Sequence, residues 1–296
     1  MDSPDALKSR LGELVRKRRA GALQPVPDAA LGAARDEAGP IKPMRRRRKL
    51  DAGAGRPLGV EAYLPGGEWR DEKGVAVYIH ERLRSDVEKR KPHWGRLPEP
   101  PPGEPELSAI RASGLERGLF LDLETCGLSS SPVFLAGTMF WNGEDFVIRQ
   151  YFARHYGEEV ALLNALHQQT RAFDLLVTFN GKSYDAPFLQ SRAQTHRVAM
   201  QLPPRHLDLL HASRRRWKGR LPDCRLTTIE RHVTRRRRVG DVSGAEVPDL
   251  YHAFVKSGDP YPLVPVFHHN LLDVITMAEI LDALCRPEKA SATVWE

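Results

Sequence analysis

Only three cysteines occur in the 296 residues, Cys126, Cys224 and Cys285, and they lie far apart. That excludes a disulfide-stapled scaffold and leaves too few thiols for a zinc knuckle. No apolar run approaches the roughly 20 residues that span a bilayer, so no membrane-spanning helix is expected. The first residues lack the apolar core of a secretory leader, since Asp2 and Asp5 stand where one would begin. Neither a glycine-rich nucleotide loop nor a Gly-x-Ser-x-Gly elbow appears, which argues against a P-loop enzyme and an α/β-hydrolase. A soluble cytoplasmic protein is the class that survives these exclusions. Hydrophobic residues at 41% and charged residues at 28% suit a mostly globular chain. The net charge of +7 allows a polyanionic partner without requiring one.

The composition divides the chain. Residues 1–106 hold 13 of the 23 prolines and 22 of the 45 basic residues. The run Pro98-Glu99-Pro100-Pro101-Pro102-Gly103-Glu104-Pro105 reads as a stiff solvated linker, so the main boundary is placed at 106. Upstream, Ala6, Leu7, Leu11, Leu14 and Val15 fit a short amphipathic helix over 5–19. Residues 20–58, with the cluster Arg45-Arg46-Arg47-Arg48-Lys49, read as largely disordered, either a nucleic-acid contact or a solvated tail. Residues 74–84 alternate like a strand, one half of a small hairpin.

Residues 107–296 have the pattern of an α/β domain. Strands are expected at 118–124, 133–141, 146–152 and 173–179, with a short fifth at 207–210. Helices are expected at 158–169, 186–195, 225–233, 246–256 and 268–284. Three strands that meander, followed by helix and strand in alternation, predict a mixed five-stranded sheet with helices on its faces.

Three places in this domain carry chemistry. Asp122 and Glu124 are two apart on an expected strand, so they share one face while Leu121 and Leu123 point the other way. Two adjacent anions repel, and a hard divalent cation would offset that repulsion. An exposed acidic strand edge is the simpler alternative, but the apolar flanks argue for a central strand. Asp185 follows the loop Asn180-Gly181-Lys182-Ser183-Tyr184 and opens a helix with Pro187 in its first turn, so taken by itself it reads as a plain N-cap. Asp273 lies one helical turn after His269 and shares its face, whereas His268 stands roughly 140° round the axis.

Taken in order, these segments resemble the DEDD exonucleases of the ribonuclease H-like superfamily. That group carries Asp-x-Glu on its first strand, then an Asn followed by an aromatic and Asp, then a Tyr or His before a last Asp. Phe-Leu-Asp-Leu-Glu-Thr-Cys-Gly-Leu, Thr-Phe-Asn-Gly-Lys-Ser-Tyr-Asp and His-Asn-Leu-Leu-Asp are similar to its YprB-like branch. His206-Leu207-Asp208-Leu209-Leu210-His211 and Arg220-Leu221-Pro222-Asp223-Cys224-Arg225-Leu226 are similar too, and the likeness covers about residues 117–285. The resemblance implies a ribonuclease H-like fold and 3′→5′ hydrolysis of phosphodiester bonds in DNA or RNA by a two-metal-ion mechanism. It implies Asp122, Glu124, Asp185 and Asp273 as ligands of two Mg²⁺ or Mn²⁺ ions, with His268 or His269 acting on the attacking water. The His-Asn pair of the branch favours His269. Alternatives are a binding module with an inactive nuclease-like fold, and an endonuclease or resolvase of the same superfamily.

A single-stranded 3′ end is the expected partner. Residues 205–238 carry 12 Lys or Arg against 3 Asp or Glu, within a domain that is otherwise acidic. Arg214, Arg215, Arg216, Lys218, Arg235, Arg236, Arg237 and Arg238 would draw a polyanion toward an acidic centre. Trp217 would stack on a base or pack in the core. Asn180 and Lys182 would contact phosphate, or serve as a turn residue and a solvated lysine. Cys126 reads as packing.

Overall fold

A computed structural model of the chain describes residues 59–88, 107–108, 110, 114–127 and 131–286. The expected helix at 5–19, the basic cluster at 45–49 and the Pro-rich run at 98–105 lie outside these residues. No helix among the described residues is long and apolar enough to cross a membrane.

The chain builds one mixed sheet with helices on both faces. Its strands are β1 (Gly66–Arg70), β2 (Ala76–Leu83), β3 (Gly118–Thr125), β4 (Val133–Trp141), β5 (Phe146–Phe152), β6 (Leu175–Thr178) and β7 (Arg205–Asp208). The order across the sheet is β1-β2-β5-β4-β3-β6-β7. The first five strands of that order pair antiparallel, and β3, β6 and β7 pair parallel. Five strands were too few, because the β1–β2 hairpin continues the sheet by pairing with β5. The sheet therefore runs across the boundary expected at 106.

The helices are α1 (Glu159–Thr170), α2 (Asp185–His196), α3 (Leu209–Trp217), α4 (Val247–Ser257) and α5 (Val264–Cys285). The segment expected as a strand at 207–210 ends at Asp208, whose carboxylate accepts from the Leu210 amide and opens α3 as its N-cap. A short helix at Leu226–Ile229 passes into a π-helical turn at Glu230–Thr234 where a plain helix was expected.

Strand alternation sorts β3 as its sequence dictates. Leu121 and Leu123 enter a cluster with Leu162 and Leu166 of α1 and Phe188 and Leu189 of α2. Phe120 enters the opposite cluster, with Ile275 and Met277 of α5. Asp122 and Glu124 share the face of Phe120, so both carboxylates turn toward α5. The alternative of an exposed edge is excluded, because β3 lies between β4 and β6 and every residue in it is buried.

A buried ion network ties the segment after β2 to α5. Arg84 pairs with Glu88 at 2.6 Å and Glu279 at 3.0 Å, and Arg236 pairs with the same two carboxylates at 3.0 and 2.5 Å. Arg236 is thus an interior ion-pair partner and not part of a solvent-facing track. Removing one member of such a network strands the others without compensation. Arg236→Ala should cost about 3 kcal/mol in urea unfolding, the low end of that range because Arg84 still faces both acids.

Candidate metal centre

The α5-facing side of β3 carries a row of three residues on adjacent strands. Asp122 stands opposite Gly137 of β4, which stands opposite Gln150 of β5. Gly137 leaves a gap in that row, and the Asn270 side chain of α5 fills it; a Cβ at 137 would collide with the Asn270 amide. Asn270 Nδ2 donates to Asp122 Oδ2 at 3.0 Å, and Gln150 Nε2 donates to Asn270 Oδ1 at 2.9 Å. Gln150 also donates to the Phe267 carbonyl at 2.8 Å. The chain Gln150–Asn270–Asp122 fixes both the carboxylate and the depth at which α5 sits.

Asp185 reaches the same region from the other direction. Its Oδ1 accepts from the Leu123 amide at 3.2 Å, between the two β3 acids. The simple cap is set aside, because the helix N-cap is Tyr184 and no side chain caps α2. One turn of α5 supplies the rest. Glu124, His269 and Asp273 each offer a donor atom, and these atoms lie within 4.8 Å of one another. All four acids are buried. Hard carboxylate oxygens with one imidazole fit a divalent cation of the Mg²⁺ or Mn²⁺ class.

His269, and not His268, faces this centre. Its Nε2 is 3.6 Å from Asp273 Oδ2, and its Nδ1 is 2.8 Å from Asp241 Oδ1. His268 points round the helix into a small cavity with His80, Arg82 and Gln150, and burial lowers its pKa. Burial alone would also lower His269. The charge of Asp273, the hydrogen bond to Asp241 and the charge of Glu124 overcome it and push the ring up to about 10. Burial would raise Asp241, yet His269 and Arg238 hold its carboxyl below the usual range.

Arg238 is a second cation of the centre. It donates to Asp273 Oδ1 at 2.6 Å, Glu230 Oε2 at 2.7 Å and Asp241 Oδ2 at 3.2 Å. Burial pushes Glu230 up to about 7 against the pull of Arg238. Arg238 therefore joins Arg236 as an interior residue, while Arg235 and Arg237 between them are exposed. Arg214 and Arg215 of α3 and Lys218, which follows it, are exposed. Arg216 instead donates to the Leu284 and Arg286 carbonyls at the end of α5. Trp217 is half-buried against the core beneath α5.

Asn180 and Lys182 lie in the loop before α2. Asn180 adopts φ 67°, and its amide donates to Asp208 Oδ1 at 2.8 Å while the Lys182 amide donates to Oδ2 at 3.0 Å. Asp208 thus fixes the loop that delivers Asp185, and the Lys182 side chain is exposed. Cys126 is buried packing, with burial raising its thiol to about 12.

A histidine raised in the fold stabilises it fully below its unfolded value near 6.5 and loses that contribution as pH rises through the folded value. Without metal, urea stability should fall between about pH 6.5 and 10 more steeply in the wild type than in His269→Gln. Equal slopes in the two proteins would contradict the charged ring. Excess Mg²⁺ should shift the wild-type fall to lower pH, since a cation on the same carboxylates disfavours imidazolium.

Among curated proteins, the chain is similar to the uncharacterized protein YprB of Bacillus subtilis (strain 168), at 33% identity over 166 residues. That match covers 54% of this chain and 40% of the relative, so the chain spans less than half the relative's length. Among solved structures, it is similar to the family B DNA polymerase of Pyrobaculum calidifontis at 15% identity and a TM-score of 0.44. That likeness covers 56% of this chain and 24% of the polymerase. The RNase_H_2 family model, described as RNase_H superfamily, matches residues 119–285. That match spans more than half the chain and takes in every carboxylate of the centre, and the chain belongs to the RNase_H superfamily.

Proposed function

We propose that this chain is a metal-dependent 3′→5′ exonuclease that hydrolyses phosphodiester bonds of DNA or RNA. The observation that carries this reading is the donor cluster of Glu124, His269 and Asp273 within 4.8 Å, adjoining Asp122 and Asp185. Arg238 and His269 offset part of that like charge, and a bound divalent cation would offset the rest. Asp122, Glu124, Asp185 and Asp273 would hold a pair of Mg²⁺ or Mn²⁺ ions. When bound, such a pair lowers the pKa of a water and stabilises the leaving 3′ oxygen.

The chain's own residues supply position and proton transfer. Asn270 holds Asp122 by its Oδ2, and the Leu123 amide holds Asp185 by its Oδ1. His269 takes the proton of the attacking water at Nε2, the nitrogen that faces Asp273. A ring deprotonated at that nitrogen is required, so cleavage should favour alkaline pH or the presence of the metal charge.

Substrate enters over the exposed part of the basic segment. Arg214 and Arg215 of α3, with Lys218, Arg235 and Arg237, offer cations to the backbone of a single-stranded 3′ end. Asn180 and Lys182 flank Asp185 and would meet the terminal phosphates.

The test is degradation of 5′-labelled single-stranded DNA and RNA, with Mn²⁺ or with EDTA. The wild type should give a metal-dependent ladder that shortens from the 3′ end. Asp122→Ala should lose about 100-fold or more of the rate, the loss expected when several kcal/mol of transition-state stabilisation is removed. Intact substrate together with a salt-sensitive gel shift would replace the nuclease with a nucleic-acid-binding module.

A further inference from the structure

The segment between the π-helical turn and α4 contains an acid that belongs to none of the three motifs. Arg238-Val239-Gly240-Asp241 turns back toward α5 at Gly240, whose φ of 70° suits glycine. The turn aims Asp241 at His269. Both side chains are largely enclosed, at 18% and 10% exposure. Asp241 Oδ1 accepts from the Val242 amide at 3.0 Å and lies 2.8 Å from His269 Nδ1. Its Oδ2 accepts from Arg238 Nη1 at 3.2 Å, and Arg238 also grips Asp273 and Glu230. The carboxylate is therefore held on both oxygens before it meets the ring.

We propose that Asp241 is a positioning residue for His269, fixing the ring by Nδ1 so that Nε2 is presented to the cleft between Glu124 and Asp273. A neutral imidazole has one donor and one acceptor nitrogen, and a carboxylate at Nδ1 assigns the proton there. In the neutral ring Nε2 is then the nitrogen with the lone pair, and in the charged ring of the metal-free protein the same carboxylate accepts from the Nδ1–H. An outer carboxylate of this kind sets ring orientation and raises basicity, and its loss commonly costs 10- to 100-fold in activity or metal affinity. Arg238 extends the arrangement: one guanidinium fixes the acid behind His269 and the acid one turn along the same helix. Ring and carboxylate are thereby held in register with each other.

The catalytic consequence rests on the nuclease reading above, but the hold on the ring does not. Two measurements separate them. In the metal-free full-length protein, the Nδ1–H of His269 should give an exchange-protected, downfield proton resonance, assigned by its loss in His269→Gln. Asp241→Asn should remove or strongly shift that resonance while the melting profile stays cooperative. An unchanged resonance would overturn the proposal. On a cleaved substrate, Asp241→Asn should lower kcat about 10- to 100-fold with KM unchanged. The same substitution in a His269→Gln background should cost nothing more, because the two residues act as one unit. Additive losses would overturn the proposal, since a purely structural acid would damage both backgrounds alike. A wild type that shows the protected resonance but degrades no substrate would uphold Asp241's hold on the ring and overturn the nuclease reading alone.

Discussion

The organisation of this protein depends on keeping several carboxylates together out of water. Asp122, Glu124, Asp185, Glu230 and Asp273 are buried, with Asp241 beside them. Each would be expensive alone, and their mutual repulsion adds to the cost. The fold answers with three kinds of compensation. Arg238 spreads one guanidinium over three of the acids. His269 sits between two of them. The Asn270 amide and the Leu123 backbone amide supply neutral donors. These partners hold the centre together and bring donor atoms of Glu124, His269 and Asp273 within 4.8 Å of one another.

The scaffold makes room for this at one position. Helix α5 could not approach the sheet closely enough if β4 carried a side chain at 137. With glycine there, Asn270 lies between Asp122 and Gln150, and the helix turn bearing His269 and Asp273 comes down onto the face that Asp122 and Glu124 share. Close packing and acid placement are therefore one constraint rather than two. The Arg84–Glu88–Arg236–Glu279 network further along α5 anchors the same helix to the segment that follows β2.

Much of the centre was legible in the sequence because strand and helix periods are strong signals. Alternation on β3 put Asp122 and Glu124 on one face, and the four-residue spacing put His269 with Asp273. Other features depended on pairing between segments far apart in the chain. Gly137 looks like any strand glycine until the register aligns it with Asp122 and Gln150. Asp241 sits in a loop whose direction is set by the turn at Gly240. The basic segment misled by composition: charge density alone could not tell Arg235 and Arg237, which face solvent, from Arg236 and Arg238, which hold interior acids. A period-2 reading of that run would have split it. The sheet was expected to be smaller because the β1–β2 hairpin lies beyond a proline-rich run that reads as a boundary, while its pairing with β5 spans that run.

The acid cluster is proposed to hold a divalent cation. Calorimetric titration of the metal-free, full-length protein with Mn²⁺ tests it directly. Saturable binding in the wild type is expected, weakened at least about tenfold in Glu124→Gln and in Asp273→Asn while both variants remain folded. No binding by the wild type, or equal binding by all three proteins, would mean that these acids hold no cation.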